Sequence, residues 1–214
     1  MLYKEISCCR SCGSDRLDEM LNLGNLSISD FILPGQNEDR APLVLMQCAD
    51  CSLVQLQHTV DRDRLYRNYY YRSGTNESMV AALRDVADDA VARLPFPASS
   101  ETSVLDIGAN DGTLLRLFPG HWDRCGFEPS LLASEADKGN GAIWREFFPP
   151  SWQRSETFNI ICSLAMFYDL DDPNAFVAGI KEWLHPDGVW VLQMPSLDQM
   201  LGYNAFDNIV HEHL

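Results

Sequence analysis

Val104-Leu105-Asp106-Ile107-Gly108-Ala109-Asn110-Asp111-Gly112-Thr113 decides how this chain of 214 residues folds. Val104 to Ile107 reads as a short buried strand, the glycines as a tight turn, and Thr113 to Phe118 as the start of a helix. Such a turn aims backbone N–H groups at a ligand, and its glycines let that ligand approach without meeting a Cβ. The stretch predicts a nucleotide-like cofactor at the carboxyl end of a parallel sheet.

The pattern downstream alternates strand and helix, as a parallel sheet with crossovers requires. Further strands are expected at Arg124–Phe127, Ala142–Trp144, Asn159–Ser163 and Gly188–Met194. One helix follows Glu128-Pro129-Ser130 and runs through about Lys138. Another runs from about Asn174 to Leu184, with Phe176, Val177, Ile180 and Leu184 inward. Upstream, Thr75 or Asn76 caps a helix to about Leu94, whose apolar face is Met79, Leu83, Val86, Ala90, Val91 and Leu94. Pro95-Phe96-Pro97-Ala98-Ser99-Ser100 links that helix to the glycine turn.

The amino-terminal third has a different chemistry. Cys9-Arg10-Ser11-Cys12-Gly13 is answered, after 35 intervening residues, by Cys48-Ala49-Asp50-Cys51. Two Cys-x-x-Cys knuckles can bring four thiolates to one tetrahedral zinc at distances of ~2.3 Å. Such a closed site has no open position, so the zinc would be structural, holding a region too small to rely on its own core. Reduced, uncoordinated cysteines are the plainer reading, and Cys8 is a spare thiol that could stand in for Cys9. Leu17 to Leu33 is mixed and turn-rich, punctuated by Gly24 and Pro34-Gly35. Strands are expected at Leu43–Gln47, entering the second knuckle, and Leu53–Leu56, leaving it.

The formal charge of −15 opposes general binding to nucleic acid or anionic membranes. No apolar run approaches the ~18 residues of a membrane span. Seven cysteines without a signal-peptide pattern suggest a reducing, cytoplasmic setting.

Glu128, 22 residues after Asp106, falls where an acid in a doubly wound sheet reaches ribose hydroxyls. The dinucleotide pattern Gly-x-Gly-x-x-Gly is absent, because Ala109, Asn110 and Asp111 follow Gly108. A pyrophosphate would also meet Asp106 and Asp111, whereas S-adenosylmethionine is cationic at its sulfonium and ammonium groups. The loop therefore favours S-adenosylmethionine over NAD. Leu65 to Asn76 is rich in aromatics and hydroxyls, and reads either as a pocket wall or as an aromatic hinge.

Taken together, the two knuckles, Tyr69 to Ser73, the Asp106–Gly112 loop and His211-Glu212-His213 resemble zinc-containing deoxysugar C-methyltransferases. The resemblance covers nearly the whole chain in order. It implies an α/β, class I (Rossmann-like) methyltransferase sheet preceded by a small zinc-binding domain. Residues 1–72 would be the zinc domain, 73–100 a connecting helix and linker, and 101–214 the methyltransferase domain. It also implies S-adenosylmethionine-dependent methylation of a carbon in a nucleotide-linked 4-keto-deoxysugar. His213 would be the base that forms the enolate, with Glu212 and Tyr71 beside it. Cofactor contacts are expected from Tyr71, Ser73, Asp106, Gly108, Asn110, Asp111, Gly112, Glu128, Pro129, Phe147, Phe148 and Ser163; Cys9, Cys12, Cys48 and Cys51 would hold Zn²⁺. By residue type alone, His-Glu-His reads rather as an exposed polar tail.

Five strands can be placed where this class of sheet has seven. The chain therefore reads as the amino-terminal half of such an enzyme, cut after the catalytic motif, with an exposed sheet edge. A zinc- and cofactor-binding fragment without turnover, and a small-molecule O- or N-methyltransferase, are the competing readings.

Overall fold

The computed structural model describes residues 1–28, 35, 37–137 and 141–214. In chain order these form β1 (Tyr3–Glu5), β2 (Leu17–Ser27), β3 (Arg40–Cys48), β4 (Val54–Leu56), β5 (His58–Val60) and α1 (Arg62–Tyr66). Then come α2 (Glu77–Ala92), β6 (Ser103–Ile107), α3 (Thr113–Leu117), β7 (Asp123–Phe127), α4 (Ala133–Ala136) and β8 (Ile143–Trp144). The last elements are β9 (Phe158–Leu164), α5 (Pro173–Trp183), β10 (Leu184–Gln193) and α6 (Leu197–Tyr203). The chain divides into two compact units. One comprises Met1–Arg67, Phe167–Asn174 and Met194–Leu214; the other comprises Asn68–Met166 and Ala175–Gln193. Among the described residues no helix is long and apolar enough to cross a membrane.

In the second unit all five expected strands form one parallel sheet in the order β10-β9-β6-β7-β8. Its middle strand is β6, and every residue of β6 is buried, which explains why Val104-Leu105 is apolar without alternation. The chain winds outward through β7 and β8, then returns to β9 on the other side of β6. That reversal makes a topological switch point, with the Gly108–Gly112 turn at the carboxyl end of β6. Leu83, Ala87 and Ala90 of α2 pack with Val104, Leu114, Leu115, Ile160 and Cys162. The Asn76 side chain accepts from Ser78 N and starts α2.

The two long helices bury slightly different faces from those expected. Met79 is 37% exposed, and Ala87 takes an inward place instead. The buried stripe runs through Leu83, Ala87 and Ala90 and is extended by the half-buried Val80, and Met79 lies one residue beside it. In α5 the inward set is Phe176, Gly179, Ile180 and Trp183, at i, i+3, i+4 and i+7, so Val177 faces out. Leu184 is not a helix residue; it opens β10 opposite Phe158. The helix after Ser130 is the short α4, and Lys138 lies outside the described residues.

In the first unit β2, β3 and β4 form an antiparallel sheet, and β1 pairs with β5. The stretch expected to be turn-rich is instead the 11-residue strand β2. Its pairing with β3 shifts register between Glu19 and Leu21 and again between Asn22 and Asn25. Each shift moves the following side chains to the other face, so no alternation of period two survives in the sequence. Residues 29–34 of that stretch, including Leu33 and Pro34, lie outside the described residues.

Candidate functional site

The sulfur atoms of Cys9, Cys12, Cys48 and Cys51 all lie within 4.8 Å of one another. Cys9 and Cys51 are 3.6 Å apart and Cys12 and Cys48 are 3.5 Å apart. A tetrahedron of sulfurs at ~2.3 Å from zinc has edges of ~3.8 Å, so the four thiols already have the shape of a zinc site. Each knuckle is closed by its own backbone: Gly13 N donates to Cys9 O, and Ser52 N donates to Cys48 O, both at 2.9 Å. Cys8 is exposed and outside the cluster. The buried Gln55 Nε2 donates to Cys9 Sγ at 3.2 Å, while its Oε1 accepts from Arg10 N at 3.1 Å. Burial raises the Cys9 thiol, but hydrogen bonds from the Cys12 backbone, Gln55 and the Ser11 backbone outweigh it and hold it at about 6. A lowered thiol favours the thiolate, the form a metal binds.

In the second unit the glycine turn has an internal scaffold. Gly108 and Gly112 have φ of 82° and 77°, values that side chains with a Cβ adopt at a cost. Glu128, 6% exposed, accepts from Asn110 N through Oε2 at 2.7 Å and from Ser130 N through Oε1 at 2.8 Å. Asp106 is buried beside it; burial first, then the negative charge of Glu128, raises its carboxyl to about 7. Asp111 is buried too. Its Oδ1 accepts from Thr113 N and Oγ1 at 3.1 and 2.6 Å, and its Oδ2 accepts from Gly74 N at 2.9 Å.

Asn110 works in the same way. Its Oδ1 accepts from Ser73 N at 3.0 Å and its Nδ2 donates to Tyr71 O at 2.9 Å. Both side chains thus fasten the Tyr71–Gly74 segment to the turn, a role that residue type alone did not reveal. A Cβ on Gly74 would lie 2.7 Å from Thr113 Oγ1 and 2.9 Å from Asp111 Oδ2. Gly74→Val should release this segment and destabilise the fold by about 1–3 kcal/mol. Thermal unfolding checks it, and an unchanged midpoint would show that the fastening is not needed.

The remaining expected contacts sort by burial. Tyr71 is exposed, whereas Pro129 and Phe147 are half-buried. Phe148 is buried among Phe127, Phe176 and Trp183, with ring centroids 5.2–5.6 Å away. Ser163 is fully buried, and its Oγ accepts from Trp190 Nε1 at 2.8 Å. These two side chains already have protein partners.

His211-Glu212-His213 belongs to the first unit, and its histidines differ sharply. His211 is 2% exposed, and its Nε2 bonds to Ala41 O at 2.9 Å, so the run is not a solvated tail. His213 Nδ1 bonds to Asn208 O at 2.8 Å, and its ring meets Tyr168 edge-on at 4.6 Å. Glu212 O accepts from the Tyr66 hydroxyl at 3.1 Å. Asp169, Asn208 and Gln55 escaped the sequence reading, because none sits in a pattern that marks chemistry; Tyr66 lies in the aromatic stretch Leu65–Asn76.

A parallel sheet in this order, an acidic glycine turn at its switch point and a four-thiol cluster together define a class I methyltransferase with a zinc-binding region. The chain belongs to the methyltransferase domain family, whose profile matches residues 79–214. A second family, described as a candidate zinc binding domain, matches residues 9–66. The chain is 27% identical over 224 residues to the C-methyltransferase NovU of Streptomyces niveus, covering 99% of this chain and 53% of that protein. It therefore spans about half the length of this curated relative.

Among solved structures, the plantazolicin methyltransferase BpumL, bound to a pentazolic desmethylPZN analog and SAH, is 16% identical with a TM-score of 0.50. That match covers 64% of this chain and 60% of BpumL, and it is a likeness of fold. DesVI of Streptomyces venezuelae is 24% identical with a TM-score of 0.46, over 56% of this chain and 52% of DesVI. The cofactors of the class are S-adenosylmethionine and, in the cysteine region, zinc. A cationic ligand fits the buried Asp106 and Glu128, which would repel a pyrophosphate.

Proposed function

We propose that this protein is a C-methyltransferase that acts on a nucleotide-linked 4-keto-deoxysugar through an enolate formed by His213. The observation that carries the reading is the single fixed partner of His213 Nδ1. A carbonyl oxygen only accepts, so Asn208 O keeps the hydrogen on Nδ1 and leaves Nε2 free to take a proton. A hydrogen on the carbon beside a ketone is acidic enough for such a base. Its proton passes to Nε2, and the C–H electron pair becomes the enolate. When bound, S-adenosylmethionine supplies an electrophilic methyl group, whose bond to sulfur breaks as the new carbon–carbon bond forms. The name of NovU supports carbon as the acceptor.

In this reading the cofactor lies against Tyr71, Ser73, Asp106, Gly108, Asn110, Asp111, Gly112, Glu128 and Pro129, with Phe147, Phe148 and Ser163 behind them. Glu128 retains lone pairs for ribose hydroxyls after its two backbone bonds. Glu212 and Tyr71 are the further residues this reading assigns to catalysis. Residues 1–72 act as the zinc domain, 73–100 as the connector and 101–214 as the methyltransferase domain, in a cytoplasmic enzyme. The enolate can be tested without the methyl donor. In D₂O the protein should exchange the hydrogen beside the ketone of the substrate for deuterium; no exchange above the buffer rate would overturn the route.

Asp106 gives a second expectation. Its folded carboxyl holds a proton up to about 7, whereas an unfolded aspartate releases it near ~3.9. The folded state thus binds more protons between these values, so this group's contribution to stability falls as pH rises through that window and levels off above it. A cationic ligand favours the ionised form. Cofactor binding should release a proton below about 7 and tighten as pH rises towards it. Calorimetry in two buffers of different ionisation enthalpy reads that proton; a pH-independent affinity with no proton released would remove Asp106 from the site.

A further inference from the structure

The Tyr71–Gly74 segment has a second anchorage, away from the glycine turn. Arg72 reaches Glu135 of α4, 63 positions later in the chain, through a fork of hydrogen bonds. Its Nε donates to Glu135 Oε1 and Oε2 at 3.2 and 3.0 Å, and its Nη2 donates to Oε1 at 2.8 Å. The third nitrogen, Nη1, turns back and donates to Tyr70 O at 3.3 Å. Tyr71 is thereby held on both sides. Arg72 holds the carbonyl before it, and Asn110 Nδ2 holds its own carbonyl at 2.9 Å.

Residues 69–72 lie in neither helix nor strand, and Tyr70 and Tyr71 are exposed. Polar fastenings therefore decide where this stretch lies, and they come from two places. Asn110 and Asp111 follow β6, whereas Glu135 follows β7 and Glu128, the acid that the cofactor reading gives to the ribose. The segment is strapped to both connections, and between them that reading seats S-adenosylmethionine.

We propose that Arg72 and Glu135 form a clasp that closes Tyr71 over S-adenosylmethionine and sets how fast the cofactor leaves. Both are positioning residues, acting through Tyr71. This deepens, and rests on, the reading of Tyr71 as a cofactor contact. A guanidinium fork meets a carboxylate in one plane, so the closed geometry is specific. Both side chains stay partly exposed, so the clasp is weak enough to open in each cycle and is sensitive to salt.

The test measures release of S-adenosylhomocysteine from the whole, zinc-loaded protein by stopped-flow fluorescence. Glu135→Gln and Arg72→Gln should each speed release about two- to fivefold, the scale of an exposed pair. The double variant should be no faster than either single one, because each removes the same contact. Arg72→Lys keeps the charge but not the fork, and should fall between. Raising salt from about 0.05 to about 0.5 M should speed release from wild type and leave the double variant unmoved. S-adenosylhomocysteine has no net charge at neutral pH, so the screening acts on the clasp.

Unchanged release in both single variants, or effects that multiply in the double one, would overturn the proposal. Wild-type release unmoved by salt would overturn it equally, and that arm needs no substitution to fold. Tyr71→Ala separates the two ideas. Release as slow as in wild type would remove Tyr71 from the cofactor site. Faster release there, with wild-type rates in Glu135→Gln and Arg72→Gln, would remove only the clasp. A wild type that binds no S-adenosylhomocysteine would overturn both.

Discussion

Cys48→Ser should strip zinc from the protein and unfold the unit that carries the four thiols. Cys48 is 1% exposed and its sulfur is one corner of the cluster. Structural zinc contributes ~10–16 kcal/mol to small domains at neutral pH, whereas a region of this size seldom gathers more than ~3–5 kcal/mol from its own core. One buried cluster of this unit has Ile28, Ala41 and Val60 at its centre with Leu2 and Leu65 packed against them, and Leu43, Val44, Met46 and Leu56 are buried as well.

The loss should reach the His213 segment, because the same unit is stitched across the sequence. Asn174 Nδ2 donates to Arg10 O and Ser11 O, at 3.3 and 2.7 Å, inside the first knuckle. Asp171 pairs with Lys4 and accepts from Thr59 Oγ1 at 3.1 Å. His211 bonds to Ala41 O. Zinc would thus support the base without touching substrate. Metal analysis with limited proteolysis reads both effects: Cys48→Ser should lose the metal and be cut within residues 1–67, while Cys8→Ser should keep both metal and resistance. Full zinc in Cys48→Ser, or its loss in Cys8→Ser, would show that the cluster is wrongly assigned.

His213→Gln should lower carbon methylation by about 10²–10⁴-fold, the usual contribution of a positioned general base, with cofactor affinity unchanged. The cofactor contacts proposed here come from Tyr71 to Ser163, and none from the His-Glu-His run. His211→Gln should behave differently. Its ring is buried and bonded to Ala41 O, so the substitution should cost about 1–3 kcal/mol of stability. Thermal melts beside turnover numbers distinguish the two. Equal turnover in His213→Gln and wild type would remove His213 from the chemistry.

The five-strand sheet was legible because its strands are short apolar runs separated by glycine and proline, and because β6 is buried along its whole length. The knuckles were legible because thiolate ligands must come in closely spaced pairs. β2 was not, since two register shifts erase the alternation that marks a strand. The inward faces of α2 and α5 were misjudged by one residue at Met79 and Val177, because hydrophobicity does not say where the neighbouring sheet ends. In the candidate site, the sequence named Asn110 and Asp111 but not their bonds to Ser73, Gly74 and Tyr71, which depend on backbone N–H and C=O groups that every residue has. Asp169 carried no signal at all: its place beside His213 is made by a fold that brings together residues 44 positions apart.

Transfer of a ¹³C-methyl group from S-adenosylmethionine to a nucleotide-linked 4-keto-6-deoxysugar, with the product read by NMR, tests the central claim most directly. The labelled methyl should appear bonded to a ring carbon beside the ketone, with that carbon's original hydrogen lost to solvent. A label on oxygen or nitrogen, or no transfer to the keto-sugar, would contradict it.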